Sequence, residues 1–287
     1  MTTDPRKLFA GLAVMALMLP GARAATLILK PETVQSWDDY LQEANARFQE
    51  RLAPGNHFLW MDDAPDRAVK VKENGIIAAP VGQHIPMKVP SGLIHDWIAV
   101  AYMPNLTIRD VLPVVRDYGR YKEFYRPNVI DSKAVDLAPE LGVSKDRFSI
   151  VLMNRSFFKK TALDSEYEAA YHRVDDRRLY TISQTRHIRE IAEYGAPDEH
   201  VLPEDEGTGL IWRLFTVIRY EERDGGLYIE VEAIALSRTI PAAVRVFAEP
   251  IVRRVSRDAL ITSLKQTEAA VRAGATLEST ESARGSQ

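Results

Sequence analysis

The 287-residue sequence contains no cysteine. That excludes disulfides, cysteine-ligated metals, thiol nucleophiles and a lipidated anchor cysteine, and it leaves the compartment open. No segment carries a strong basic excess and the formal net charge is −3, so nucleic acid is not expected as the main partner. The usual catalytic and nucleotide signatures are also missing: there is no G-x-S-x-G, P-loop, G-x-G-x-x-G or H-E-x-x-H. Of the six histidines, His57, His84 and His200 fall in expected loops, while His95, His172 and His187 fall on expected strands without a partner at metal-ligand spacing. His95 and Asp96 are neighbours, but adjacent strand residues point to opposite faces. No catalytic set, cofactor or metal site is expected from these residues.

Long hydrophobic runs are scarce. One lies near the N-terminus, Leu8 to Leu19, with Arg6 and Lys7 before it, Pro20 after it, and then Ala22-Arg23-Ala24. This is the layout of a secretory signal peptide cut between Ala24 and Ala25, and the run is short for a bilayer span. Residues 1–24 are therefore read as a signal peptide and the mature protein as periplasmic or secreted, with no stable membrane span after cleavage. An uncleaved anchor is the rival reading.

The mature chain carries the patterns of a folded domain. Val34, Trp37, Leu41, Ala44, Phe48 and Leu52 recur at helical spacing, ended by Pro54-Gly55. Ala68–Lys72 and Ile76–Ala79 read as a hairpin around Asn74-Gly75. Leu93–Met103 reads as a long apolar strand. Thr107 caps a helix with Asp110 three residues on, and a second short helix covers Tyr118–Phe124. Six strands follow, at about 128–136, 147–155, 160–174, 177–193, 210–222 and 227–238, with turns at Asp175-Asp176 and Asp224-Gly225. A long helix opens at Pro241 and runs to Val271 on the stripe Val244, Phe247, Ile251, Val255, Ala259 and Leu264, with Pro250 expected to kink or split it. A small polar stretch, 273–287, is expected to be a disordered tail. The loop Gly195–Gly209 is long enough to suggest a lid.

The two late turns fix which side chains share a face. Around Asp224-Gly225, Arg219 pairs with Glu230 and Val217 with Glu232 as an outer, solvated face. Trp212, Leu214, Thr216 and Ile218 then oppose Ile229, Val231, Ala233 and Ala235 on an inner one. Ala233 and Ala235 are small where neighbours supply bulk, which fits either close helix approach or room for a ligand. Around Asp175-Asp176, a two-residue turn pairs Tyr171 with Tyr180, Ala169 with Ile182 and Tyr167 with Gln184. It places Arg186 inward, as a contact for a ligand carboxylate or phosphate or as an end-of-sheet ion pair. A slip of one residue would reverse this second assignment.

This order of elements (helix, three strands, two helices, six strands, long helix) resembles the START-like superfamily over residues 30–272. Two stretches carry the resemblance. One runs from Thr107-Ile108-Arg109-Asp110-Val111-Leu112 to Asp117-Tyr118-Gly119-Arg120-Tyr121-Lys122-Glu123-Phe124, and the other from Glu232 through Ser237-Arg238 to Thr239-Ile240-Pro241. The resemblance implies an α+β helix-grip fold, a curved antiparallel sheet wrapped around a C-terminal helix, as a single domain over 25–272. It also implies a hydrophobic small molecule or lipid between sheet and helix. By the faces they share, Tyr167, Tyr171, Ile182, Trp212, Leu214, Val231, Ala233, Ala235, Phe247 and Ile251 are the candidate pocket residues, though such residues are more often plain core than ligand contacts. The leading reading is an exported, non-catalytic carrier of a hydrophobic ligand. The alternatives are a polyketide cyclase or aromatase-like enzyme and a ligand-free interaction module.

Overall fold

The computed structural model describes residues 26–142, 144–155, 160–241 and 245–285. The leader read at residues 1–24 and Val244 of the helical stripe lie outside them. The chain opens with a two-residue strand, β1 (Leu27–Ile28), and helix α1 (Pro31–Leu52). Proline at the first turn suits α1, since its missing N–H would be unpaired there anyway. Thr33, Trp37, Tyr40, Ala44 and Phe48 form the buried stripe of α1.

The expected early hairpin is instead helix α2 (Pro65–Asn74) followed by β2 (Ile76–Pro80). Gly75, at φ +76°, ends α2 by donating its N–H to the Val71 carbonyl. Asn-Gly fits both a hairpin turn and a left-handed helix end; here Pro65 starts a helix that the glycine stops. Strands β3 (Met87–Val89) and β4 (Gly92–Pro104) follow, then α3 (Ile108–Val115), a 3-10 turn at Tyr118–Arg120 and α4 (Tyr121–Phe124). The capping box is present, with the Thr107 N–H and hydroxyl both donating to the Asp110 carboxylate.

The remaining strands are β5 (Val129–Asp136), β6 (Asp146–Arg155), β7 (Lys160–Arg173), β8 (Arg178–Ala192), the short β9 (His200–Val201) and β10 (Glu206–Gly207), β11 (Arg213–Arg223) and β12 (Gly226–Arg238). The main sheet is antiparallel with the path β2-β4-β12-β11-β8-β7-β6-β5, while β3 pairs β4 and β9 pairs β8. The C-terminal helix α5 spans Arg245–Gly285, past the end of the apolar pattern. It passes through exposed Pro250 as one helix. This is the helix-grip arrangement, an α+β fold.

The Gly195–Gly209 loop is not free. β10 pairs β1, the Leu29 N–H donates to the Asp205 carbonyl, and the Leu202 N–H to the Glu190 carbonyl. Two Arg213–Asp205 bonds of 2.6 and 3.1 Å add a further tie. These contacts hold the loop against β8 and the N-terminal segment.

The β11–β12 hairpin has the expected register, Val217 opposite Glu232 and Arg219 opposite Glu230. Asp224 and Gly225 take φ of +55° and +75°, as a type I′ turn requires. The face carrying these charges is not solvated, however. α1 lies across it, and Trp37, Tyr40, Ala44 and Phe48 form one cluster with Phe215, Val217, Ile234 and Leu236. Both faces of the sheet are covered, the convex one by α1 and the concave one by α5. Arg219 and Glu230 are therefore buried, at 1% and 0% exposure.

The β7–β8 hairpin differs by one residue. Tyr171 faces Thr181, Ala169 faces Ser183 and Tyr167 faces Thr185. Two central residues at positive φ are costly without glycine. Asp175-Asp176 instead forms a longer loop, in which the Asp175 carboxylate accepts from the Arg177 N–H at 2.9 Å. The slip sends Tyr180 and Ile182 to the convex face, where they pack against the α1 cluster. A second irregularity follows at once: Glu166 faces His187, leaving Arg186 as the extra residue of a bulge.

Candidate functional site

The concave face is built from alternate residues of β4, β12, β11, β8, β7 and β6. Its core includes Trp97, Ala99, Ala101 and Met103 of β4, Ile229 and Val231 of β12, Phe148, Tyr167, Ala169 and Tyr171, with Leu260, Leu264 and Val271 of α5. The contacts of α5 fall mainly on β4, β2, α3 and α4. On the sheet itself those contacts fall on β4 and β2, and the middle strands are less tightly covered. Leu214, Thr216 and Ile218 of β11, Ser183 and Thr185 of β8, and Ala233 and Ala235 of β12 are all half-buried.

Six of the nominated residues share this face: Tyr167, Tyr171, Leu214, Val231, Ala233 and Ala235. The other five do not. Ile182 is on the convex face through the one-residue slip. Trp212 precedes the regular ladder of β11 and joins the α1 cluster. Phe247 and Ile251 point outward from α5, at 73% and 39% exposure. The helix buries the residue after each of them, Ala248 and Val252, against Leu93 and Ile240. Arg186 lies outside and exposed, bonding Glu168 at 2.7 Å and approaching Glu166 at 3.5 Å. Bulge and slip together turn it away from the concave face, and it forms a mid-strand ion pair on the outer side.

One end of the concave face is closed by a hydrogen-bonded wall. Tyr118 donates to Asp146 at 2.9 Å and lies 2.9 Å from the Tyr171 hydroxyl, which also reaches the Val115 carbonyl at 3.2 Å. Arg116 binds Asp146 through two bonds of 3.0 and 2.9 Å, so this fully buried carboxylate is satisfied. The Tyr118, Phe148 and Tyr167 rings stack nearly parallel, at 4.0 and 5.1 Å between centroids. Burial pushes the Tyr118 and Tyr171 hydroxyls well above the ordinary phenol range.

Toward the other end sits a pair that the sequence pattern did not bring together. The His95 Nε2 lies 2.8 Å from the Ser237 hydroxyl, both residues buried. They are 142 positions apart and meet only because β12 pairs with β4, so no local spacing could reveal them. Burial lowers His95 to about 4, leaving a neutral imidazole at physiological pH. Among the described residues, no cluster of three or more His, Cys, Asp or Glu is arranged to hold a metal ion.

The convex face has a cleft of about 450 Å³ whose lining includes Arg47, Arg51, His57, Trp60, Asp63 and Glu232. Its charges largely pair with one another: Arg51 holds Asp63 at 2.6 Å, and Arg47 reaches Asp96 at 3.3 Å.

No protein-family model matches the sequence, and a search of curated proteins finds none similar. Among solved structures, the chain is similar to a STAR-related lipid transfer protein from Xanthomonas axonopodis, at 13% identity over 68% of this chain and 98% of that one, with a TM-score of 0.44. Human STARD10 aligns at 10% identity over 80% of this chain and 86% of its own, TM-score 0.43. The Zhui aromatase/cyclase of a Streptomyces species aligns at 9% identity over 62% and 94%, TM-score 0.40. By its own element order and sheet path, the chain has a helix-grip arrangement of the α+β class.

Proposed function

We propose that this chain is an exported carrier that binds a hydrophobic, lipid-like molecule between the concave face of the sheet and α5. The observation that carries the reading is the half-buried run Leu214, Ile218, Ala233 and Ala235 on a face otherwise lined by core side chains. Apolar side chains left half-covered inside a concave surface are what a hydrophobic ligand would cover. Export rests on the leader pattern at residues 1–24. No described helix is long and apolar enough to cross a membrane.

Ala233→Leu tests the site. In a cavity, the added isobutyl group occupies ligand space, so uptake of a fluorescent fatty acyl probe should fall steeply while the urea midpoint barely moves. In a filled core the same change should cost about 1–3 kcal/mol by overpacking and leave the protein unable to bind the probe before or after substitution. That second pattern contradicts the carrier.

A further inference from the structure

Two of the polar groups on the concave face lie in one place. β4 and β12 pair so that Ala235 faces His95 and Ala233 faces Trp97. The two small residues therefore stand directly opposite the two side chains on this face of β4 that carry ring N–H groups. The Trp97 indole nitrogen is buried and has no hydrogen-bond partner among the described residues. An indole N–H is a donor only, and leaving one buried and unpaired costs free energy comparable to the bond it lacks. His95 spends one ring nitrogen on Ser237. Along the concave face of β4 and β12, from Leu93 to Met103 and from Leu227 to Ser237, no alternate residue carries a formal charge. Thr216, beside Ala233 on β11, adds a hydroxyl to the same patch.

We infer that Trp97, with His95 and Ser237, is a polar anchor that accepts one uncharged oxygen, a hydroxyl or carbonyl, of an otherwise apolar ligand seated over Ala233 and Ala235. This rests on the carrier reading and narrows it to a ligand class. Among the described residues of β4 and β12 no cation faces this patch, so a carboxylate or phosphate would be penalised there. A pure hydrocarbon would leave the indole N–H unpaired. The neutral state of His95 agrees with a neutral head group.

The test uses three probes with one tail: a pyrene-labelled decanol, the matching pyrene-labelled decane and the pyrene-labelled decanoic acid, titrated into the full chain and into Trp97→Phe and Ser237→Ala. The Phe variant keeps an aromatic ring but loses the donor together with the five-membered ring that carries it; hydrocarbon affinity reports the loss of volume and the alcohol preference the loss of the donor. The alcohol should bind about tenfold tighter than the hydrocarbon, and the acid more weakly than the alcohol. In Trp97→Phe the alcohol preference should collapse toward unity while hydrocarbon affinity holds, and Ser237→Ala should reduce the preference in part. Equal binding of alcohol and hydrocarbon by the parent, an unchanged preference in Trp97→Phe, or tightest binding of the acid overturns the anchor and leaves the carrier standing. Failure of all three probes to bind the parent overturns the carrier itself.

Discussion

Replacing Arg219 by Met should destabilise the protein by about 3–5 kcal/mol at neutral pH, the largest single-site effect outside the apolar core. Arg219 is 1% exposed and bonds Glu230 at 2.7 Å and Glu232 at 2.9 Å. Its guanidinium also sits 5.1 Å from the Phe48 ring centroid. The Trp60 N–H donates to the second oxygen of Glu230 at 2.8 Å. Removing the cation strands two carboxylates beneath α1. Burial already pushes the Glu230 carboxyl above the usual range, with Arg219 pulling it back. In the Met variant Glu230 should take up a proton, so the loss should shrink as pH falls through the carboxylate range. Glu230→Gln, which keeps the shape and the acceptor, should cost less. Urea unfolding of the variants at pH 7 and pH 5 reads both effects. A cost below 1 kcal/mol for Arg219→Met would mean that the charges are solvated and that α1 does not seal the convex face.

The second large effect is a pair of opposing pH dependences on neighbouring residues. His95, on the concave side of β4, is lowered by burial from 6.5 to about 4. Asp96, on the convex side, is raised from 3.8 to about 7, first by burial and then by the nearby Glu232 carboxylate, despite the Tyr40 hydrogen bond at 2.7 Å. For His95 the unfolded chain binds the extra proton between pH 4 and 6.5, so its contribution is present above 6.5 and is lost as pH falls toward 4. For Asp96 the folded chain binds the extra proton between 3.8 and 7, so its contribution is present at low pH and is lost as pH rises toward 7. Each slope is about 1.4 kcal/mol per pH unit, so the totals are on the order of 3 kcal/mol for His95 and 4 kcal/mol for Asp96. In the parent the two nearly cancel between pH 4.5 and 6.5. His95→Gln should unmask stability that falls with rising pH across that window, and Asp96→Asn stability that rises. Subtracting the parent's profile removes titrations common to all three proteins. Difference profiles that run parallel would place both side chains in solvent.

Several elements could be read from local chemistry. β4 is buried on both faces over most of its length and so appears as a long apolar run interrupted only by His95 and Asp96. Asp224-Gly225 supplies a glycine where the turn needs one, which sets the β11–β12 register. The six concave residues follow from that register and from the parity of Tyr167 and Tyr171. The errors have physical causes too. Asp175-Asp176 offers no glycine, and a side-chain hydrogen bond selects a longer loop, which moved Ile182 and Arg186. In α5, Phe247-Ala248 and Ile251-Val252 place two apolar residues side by side. Periodicity alone favours the larger, whereas close packing on Leu93 and Ile240 selects the smaller. That Arg219 is buried depends on where α1 docks, and the His95–Ser237 contact depends on which strands are neighbours. Neither is written in any short stretch of chain.

The central claim, a hydrophobic molecule held between sheet and helix, is tested most directly by native mass spectrometry of the protein purified from its host without detergent, with solvent extraction of the same sample. The account predicts an added mass that survives gentle ionisation, extracts into organic solvent, and is absent from Ala233→Leu. A chain that carries no added mass, takes up none of the pyrene probes and yields a crystal structure with the concave face filled by its own side chains would contradict it.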